Sequence, residues 1–191
     1  EIGLFNFKYL KIQELGSGGF SKVFRVQNLI TSEIFACKEL PISKIKDKEK
    51  FKNEVNIMSK CDHPNIIKLV EIDEDRRYVE LVMEECCGGT LFDRLLKKME
   101  DDDEAFSEKE AAIIFKQIIS AIFYCHNQGI AHRDLKMENV LFLYKSEDSP
   151  IKVIDFGLSE SAPHLQTDLM EIISGEKNVN MTMSGSVGTP H

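Results

Sequence analysis

The stretch that decides the fold is Ala131-His132-Arg133-Asp134-Leu135-Lys136-Met137-Glu138-Asn139, which is followed after a short gap by Ile154-Asp155-Phe156-Gly157. The apolar runs 140–143 and 151–154 predict a hairpin between these two segments. Loops held by strands are where proteins usually display reactive side chains. Here the displayed groups are two carboxylates and a carboxamide, from Asp134, Asp155 and Asn139. A single aspartate is more often a turn or helix-cap residue, so the set carries more weight than any member.

The spacing His-Arg-Asp-Leu-x-x-x-Asn followed by Asp-Phe-Gly resembles the signature of eukaryotic serine/threonine protein kinases. That resemblance implies phosphoryl transfer from ATP, with Mg2+, to serine or threonine of protein substrates. It implies that Asp134 orients the substrate hydroxyl and that Lys136 lies near the transferred phosphate. Asn139 and Asp155 would hold the metal, because hard oxygen ligands suit magnesium. By the same resemblance, His132 is a packing and hydrogen-bonding residue and not a general base.

The segment Gly16-Ser17-Gly18-Gly19-Phe20-Ser21 lies between two predicted strands. A Rossmann fingerprint needs a helix after its glycines, and a Walker loop ends in Lys-Ser/Thr, so neither fits. We therefore predict a hairpin flap over phosphates, with Gly16 and Gly18 against the nucleotide. The motif alone is weak evidence, because glycine pairs also mark ordinary turns. Ser21 replaces the third glycine of the kinase pattern.

Lys38 shares one face of its predicted strand with Ala36 and Leu40, so its side chain is expected to point inward. An inward lysine is costly unless it is paired, although most strand lysines lie at the surface. Glu54 lies on the following predicted helix, away from its lysine-rich side. The kinase resemblance pairs Lys38 with the α- and β-phosphates of ATP and pairs Glu54 with Lys38.

The resemblance also implies an adenine slot between the two lobes. Met83 would guard its back, and the backbone of residues 84–86, including Glu84 and Cys86, would bond to the adenine edge. Each apolar residue of the slot could equally be ordinary core. The implied lining residues are Leu15, Val23, Ala36, Met83, Leu141 and Ile154. The implied spine that couples the helix to the catalytic loop is Met58, Leu69, His132 and Phe156.

Hydrophobic periodicity predicts the individual strands and helices. The kinase resemblance implies that they form an α+β, two-lobed fold, with a five-stranded antiparallel sheet and one helix in the first lobe. The second lobe is expected to be mainly helical and present only in part. Capping-box spacing marks helix starts at Thr90 and Ser107, and Gly129 is a candidate left-handed terminator. The apolar residues of the long helix are Ala111, Phe115, Ile118, Ile119 and Ile122. The predicted strands are 9–15, 22–28, 34–40, 66–73 and 77–83, and the predicted helices are 43–60, 90–99 and 107–129.

The resemblance covers nearly the whole chain, from about Tyr9 to Pro190, and implies one catalytic domain. The chain stops at His191, before the Ala-Pro-Glu anchor of the family, and starts at Glu1 and not at Met. We therefore expect a truncated domain that is inactive by itself. The expected divisions are 1–83 for the first lobe, 84–87 for the hinge and 88–191 for the partial second lobe with its activation segment.

Three stretches look most like the calcium/calmodulin-regulated branch, in particular the calcium-dependent protein kinases of protists or plants. They are Phe106-Ser107-Glu108-Lys109-Glu110-Ala111-Ala112, Ser149-Pro150-Ile151-Lys152-Val153-Ile154-Asp155-Phe156-Gly157-Leu158-Ser159 and Gly88-Gly89-Thr90-Leu91-Phe92-Asp93. No D-x-D-x-D-G calcium loop occurs in the chain, so a calcium or calmodulin-like regulator is expected to act through sequence outside it.

Some positions depart from the family pattern. Met137 replaces the usual proline of the catalytic loop. Thr90 replaces a glutamate that contacts ribose and substrate arginine in many basophilic kinases, while Glu138 is retained and is counted among the nucleotide-site residues. Selectivity for basic substrates is therefore expected only in part.

An arginine at the position of Arg133 often receives an activation-loop phosphate in this family. Thr182, Ser184 and Ser186 are candidate acceptors, and unmodified hydroxyls are an equal alternative. Thr189 resembles the structural threonine that contacts the catalytic aspartate.

Composition excludes several classes of function. The chain has 191 residues and no apolar run of about 18, so no membrane span is expected. Its net charge is −8, with residues 1–83 near +1 and residues 84–191 near −9, so the acidic second half favours basic peptides and disfavours nucleic acid. Five cysteines without C-x-x-C spacing favour reduced thiols, an intracellular setting and a cytoplasmic location. Zinc at Cys86 and Cys87 is disfavoured because adjacent side chains rarely serve one metal.

Three hypotheses remain. The chain is part of an active, monomeric Mg-ATP-dependent serine/threonine kinase, an ATP-binding pseudokinase or scaffold, or a truncated interaction fragment. The intact set of charged and amide residues argues against the pseudokinase. In a fragment, the apolar face of the long helix near residues 115–123 would be partly uncovered, which favours aggregation or capture of a partner.

Overall fold

The computed structural model describes residues 4–5, 7–19, 21–102, 105–156 and 159–161. Within them, an antiparallel sheet occupies the first half, with strand order β1-β2-β3-β4-β6-β5. The five predicted strands are confirmed, and a two-residue strand, too short to carry a pattern, is added at the β2 edge. The strands are β1 Leu4–Phe5, β2 Tyr9–Ser17, β3 Lys22–Asn28, β4 Ile34–Pro41, β5 Leu69–Glu74 and β6 Tyr78–Glu84.

The two faces of this sheet have different roles. Side chains alternate between faces along a strand, and residues paired across an antiparallel ladder share a face. One face, here called the inner face, therefore carries Ala36 and its partner Met83, followed by Lys38. The opposite, outer face carries a small apolar core. Its buried residues are Phe5, Tyr9, Phe24, Val26, Cys37 and Val82.

Helix α1, Lys48–Lys60, starts later than the predicted residue 43. Asp47 ends the preceding loop and accepts a hydrogen bond from the Lys50 N–H at 3.0 Å, which is the usual reason for a helix to begin there. Residues Ile42–Lys44 instead form one turn of 3-10 helix. The helix buries Ile57 and Met58 against the second half of the chain.

Both predicted capping boxes are present. Thr90 and Asp93 exchange side-chain bonds with each other's backbone N–H at 2.9 and 3.1 Å, ahead of α2, Leu91–Asp102. Ser107 and Glu110 do the same ahead of α3, Glu108–Asn127. The α2 helix runs past its predicted end at residue 99 and takes in the start of the acidic run 100–104.

The long helix α3 buries a narrower stripe than its apolar pattern suggests. Ile118, Ala121 and Cys125 are buried, whereas Phe115 and Ile119 are 64% and 52% exposed. The chain leaves α3 at Gly129, whose φ of +67° confirms the predicted left-handed terminator.

Short strands follow α3 and frame the reactive loops. The hairpin predicted between the two motifs is formed by β8 and β9, and β7 pairs with β10. A 3-10 turn, Met137–Asn139, precedes β8. The strands are β7 Ile130–Ala131, β8 Val140–Phe142, β9 Ile151–Val153 and β10 Glu160–Ser161.

The hinge segment presses against this hairpin at Gly88. A Cβ atom there would lie 2.1 Å from the Tyr144 carbonyl oxygen and 2.5 Å from the Phe142 Cβ. Glycine is therefore required here for close approach of the two backbones.

None of the helices described is both long enough and apolar enough to cross a bilayer. Thr182, Ser184, Ser186 and Thr189 lie outside the described residues.

Candidate active site

His132 is buried at the start of the catalytic loop, with 3% of its surface exposed. Its Nδ1 accepts a hydrogen bond from the Asp134 N–H at 3.3 Å, so the other nitrogen carries the proton and donates to the Ile154 carbonyl at 2.9 Å. Burial lowers the pKa of His132, which favours this neutral form. Its ring also packs edge-on against Phe156 at 4.9 Å. Both nitrogens are thus engaged in holding the loop.

The side chains of Asp134, Lys136 and Asn139 converge on one another. The Lys136 Nζ lies 3.1 Å from the Asp134 Oδ2, and this hydrogen bond raises the pKa of Lys136. The Asn139 Nδ2 donates to the Asp134 carbonyl oxygen at 2.8 Å and to its Oδ2 at 3.0 Å. The carboxylate is only 12% exposed, so its orientation is held by neighbouring groups and not by solvent.

Asp155 is tied to the same cluster through the backbone. The Ile154 N–H donates to the Asn139 carbonyl at 2.9 Å, which brings the next residue, Asp155, beside the catalytic loop. Its negative charge acts on the pKa values of Glu54, His132 and Lys136. Asp155 itself is exposed.

Two residues of the site have left-handed backbones: Arg133 with φ of +63° and Asp155 with φ of +65°. This conformation is tolerated by aspartate but is unusual for arginine. Such strain persists only where the surroundings hold it, and it is concentrated at functional sites.

Lys38 and Glu54 form the ion pair that the sequence predicted. The Lys38 Nζ lies 3.8 Å from the Glu54 Oε1, and the side chains are 26% and 14% exposed. Burial raises the pKa of Glu54, and the charge of Lys38 partly opposes that effect. The pair joins β4 to α1.

The glycine segment forms the predicted hairpin between β2 and β3. The Gly18 N–H donates to the Ser21 carbonyl at 2.8 Å and closes the turn. The register shifts between Glu14 and Gly16, so Leu15 lies at an irregularity of the strand and is 47% exposed. Among the described residues, no atom lies within 4 Å of the position that a Cβ would take on Gly16, which leaves space beside its backbone for a ligand.

The implied adenine slot is consistent with the strand register. Val23 pairs with Lys38, and Ala36 pairs with Met83, so all four side chains lie on the inner face. Across the hinge, Leu141 lies on β8 and forms a bridge with Thr90. Met83 and Ile154 pack against the buried core of the second half.

Some of the hydrogen-bonding groups of the hinge are already engaged within the protein and are not available to a ligand. The Glu84 N–H donates to the Lys68 carbonyl at 3.1 Å, so this donor is already engaged. The Glu84 carboxylate accepts from the Lys68 N–H and from the Lys152 Nζ, both at 2.7 Å. Burial raises the pKa of the Cys86 thiol to about 12. Among the described residues, no group of three or more His, Cys, Asp or Glu side chains could hold a zinc ion.

Arg94 on α2 is a positioning residue that the sequence did not reveal. Its Nη2 donates to the Tyr144 carbonyl at 2.6 Å, its Nε donates to the Gly88 carbonyl at 3.3 Å, and its guanidinium lies 3.7 Å from the centre of the Phe142 ring. It fastens the hinge to the β8–β9 hairpin. No motif marks such a contact, because its partners are backbone carbonyls.

Glu138 lies exposed on the 3-10 turn, and its charge raises the pKa of Lys136. Within the described ranges, no three or more acidic, histidine or cysteine side chains converge as a metal cage. A metal held by Asn139 and Asp155 would therefore need further oxygens from a ligand, as magnesium in phosphate-transfer sites usually does.

Comparison with known proteins matches residues 9–183 to the family model described as the protein kinase domain. Calcium-dependent protein kinase 5 of Plasmodium falciparum (isolate 3D7) is 40% identical over 178 residues, covering 93% of this chain. Calcium-dependent protein kinase 14 of Arabidopsis thaliana is 45% identical over 156 residues, covering 80% of this chain. The chain spans only 28% of the length of either relative.

Proposed function

Because this chain belongs to the protein kinase family, we propose that it supplies the nucleotide site and catalytic loop of a serine/threonine protein kinase. The observation that supports this most is the convergence of Asp134, Lys136 and Asn139, with Asp155 beside them. A pseudokinase would not need this complete set.

In the proposed reaction, the Asp134 carboxylate accepts the proton of a substrate serine or threonine hydroxyl. The hydroxyl oxygen bonds to the γ-phosphorus of ATP, and the bond from that phosphorus to the β-phosphate oxygen breaks, which releases ADP. Lys136 stays protonated and places positive charge where the transferred group gains negative charge.

The nucleotide would lie between the inner face of the sheet and β8. Lys38, held by Glu54, would pair with its phosphates, and the open backbone at Gly16 would let the flap approach them. Its adenine would lie against Val23, Ala36 and the other lining residues named above.

Magnesium fits the donor set of the catalytic loop. The Asn139 Nδ2 is engaged with Asp134, so the amide oxygen is the group left to act as a ligand, beside the Asp155 carboxylate. When bound there, the metal would neutralise charge on phosphate oxygens.

Calcium control is proposed for the complete protein, on the ground that the relatives carry the name calcium-dependent protein kinase. The proposed substrates are proteins with serine or threonine near basic residues, since the second half of the chain is acidic. Measuring transfer to a basic serine peptide with calcium present and with calcium chelated tests this proposal. Equal transfer rates with and without calcium would contradict the proposed calcium control but would not affect the kinase assignment.

The decisive variant is Asp134→Asn in the full-length protein. Turnover should fall by about 10²–10⁴-fold, the usual contribution of one acid–base group, while ATP affinity is kept. Asp148→Asn is a matched control, because Asp148 is exposed in the β8–β9 loop. A loss of less than tenfold would show that Asp134 does not have this role.

A further inference from the structure

A second cavity, of about 630 Å³, lies on the outer face of the sheet, opposite the Lys38 side. Residues from all six strands of the sheet and from the turn between β5 and β6 form its walls, and the glycine hairpin forms part of its rim. None of the residues proposed for catalysis lines it. Its charged lining residues are Lys11, Lys22, Glu39, Lys44, Asp73, Asp75, Arg77 and Glu80.

Glu80 is the unexplained group in this cavity. It is 4% exposed, yet its Oε2 has no hydrogen-bond partner among the residues that the structure describes. The register places it between Glu39 on β4 and Asp73 on β5, so carboxylates stand side by side on three strands. A buried carboxylate without a donor is costly, which points to a missing partner.

Of the four cationic residues that line the cavity, Lys11, Lys22 and Arg77 make other contacts, and the fourth is Lys44. Lys11 pairs with Glu39 and lies 4.7 Å from the centre of the Phe24 ring. Lys22 pairs with Glu14 at 3.2 Å. The Arg77 guanidinium lies 5.7 Å from the centre of the Tyr78 ring.

The acids are not equally satisfied. Asp75 accepts from the N–H groups of Arg77 and Tyr78 at 2.6 Å and so belongs to the turn. Glu39 has Lys11. Among the described residues, Glu80 Oε2 is the carboxylate oxygen buried without a donor, and Asp73 lies beside Glu80 on the adjacent strand and on the same face.

We propose that this outer-face cavity binds a guanidinium group, which donates to Glu80 and Asp73 while its plane lies among Phe5, Phe24 and Tyr78. A guanidinium presents several donors in a fixed fork, which suits two neighbouring carboxylates better than a single ammonium does. The aromatic walls add favourable cation–π contacts. Free guanidinium compounds such as arginine and the arginine side chains of peptides share this chemistry.

A ligand bound in the outer-face cavity should affect nucleotide binding. Ser17, Gly18 and Gly19 line the cavity from the glycine hairpin, and Glu39 is next in sequence to Lys38. A guanidinium held in the cavity would therefore restrain the flap and the strand that carries the phosphate-binding lysine. This coupling, unlike the binding itself, rests on the proposed function.

The test is direct binding by calorimetry to the full-length protein, with acetyl-arginine amide and the neutral isostere acetyl-citrulline amide as probes. A second pair, Gly-Gly-Arg-Gly-Gly and its citrulline counterpart, distinguishes a free ligand from a peptide. Arginine probes should bind at least about tenfold more tightly than citrulline probes. If the arginine peptide binds more tightly than acetyl-arginine amide, the ligand is part of a peptide. If the two bind with equal affinity, the guanidinium side chain alone is recognised.

The variants Glu80→Gln and Asp73→Asn should each remove the preference for arginine over citrulline. The control Glu74→Gln should keep it, because Glu74 lies on β5 beside Asp73 but outside the cavity. Both substitutions are near-isosteric, and thermal melting verifies folding. Arginine and citrulline probes binding equally to the wild type, or a preference unchanged in both cavity variants, would overturn the proposal. ATP affinity measured with and without the arginine probe reports the coupling separately, so its failure would not affect the binding result.

Discussion

Asn139 holds Asp134 with one nitrogen that bonds both its backbone and its side chain. His132 holds the same residue from the other side, through the Asp134 N–H. A residue whose backbone and carboxylate are both held by hydrogen bonds loses little further entropy when a substrate arrives, which is the advantage of preorganisation. The residue pattern alone identifies these side chains, but it does not show that His132 and Asn139 both hydrogen-bond to Asp134.

The Lys38–Glu54 pair should act as one unit in nucleotide binding. Lys38→Met and Glu54→Gln should each weaken ATP affinity by at least about tenfold, and the double variant should be little worse than Lys38→Met, because coupled residues are non-additive. The exposed pair Lys22–Glu14, at 3.2 Å, is the control and should have little effect. Fully additive losses at Lys38 and Glu54 would mean that Glu54 does not act through Lys38.

Glu80 should make stability depend on pH. Burial and neighbouring acids raise its pKa from 4.5 to about 7, so between these values the folded protein binds more protons than the unfolded chain. The free energy of unfolding should therefore fall as the pH rises from about 4.5 to 7, by as much as about 3 kcal/mol at 1.4 kcal/mol per pKa unit.

Denaturant unfolding of wild type and Glu80→Gln at pH 5 and pH 7.5 measures this contribution. Relative to wild type, the free energy of unfolding of the glutamine variant should be higher at pH 7.5 than at pH 5. A difference that is independent of pH would show that Glu80 titrates normally.

At the scale of elements, the hinge and the β8–β9 hairpin are joined without space for a side chain. Gly88→Ala should destabilise the fold by at least about 2 kcal/mol, because the added methyl would meet the Tyr144 carbonyl and the Phe142 side chain. Gly19→Ala is the matched control, since nothing lies within 4 Å of its Cβ position. Thermal melting of both variants gives the comparison, and equal midpoints would contradict the close contact.

The α1 helix shares its core with the catalytic loop. Ile57 and Met58 belong to the same buried cluster as Phe156 and Val153, and Leu69 packs against it. The implied spine is thus contiguous in its packing, with His132 in contact with Phe156. A movement of α1 would separate Glu54 from Lys38 and also loosen the packing beneath Asp155.

At the scale of the whole molecule, α3 presents an apolar ridge to solvent. Ile113, Phe115, Ile119 and Phe123 are each more than half exposed, with Phe115 at 64%. Adjacent apolar side chains exposed along one helix favour association. The 191-residue chain expressed by itself should therefore self-associate, whereas we expect the complete protein to be a monomer.

The substitutions Phe115→Ser and Phe123→Ser together should reduce this association, as measured by light scattering after size exclusion. Ile30→Ser is the control, because Ile30 is 81% exposed but lies on the turn after β3, away from the ridge. An association unaffected by the paired change would show that another surface is responsible.

The sequence by itself determined the family, the five strands and most helix positions, because these follow from local periodicity, capping chemistry and fixed motif spacing. Lys38, Glu54, Asp134 and Asn139 were identified in this way. Tertiary structure alone decided which apolar residues of α3 are buried, why Gly88 must be glycine, how Arg94 fastens the hinge, and that Glu80 lies buried without a donor. Those features depend on contacts between residues distant in the chain, and local pattern carries no information about which distant surface each side chain will meet.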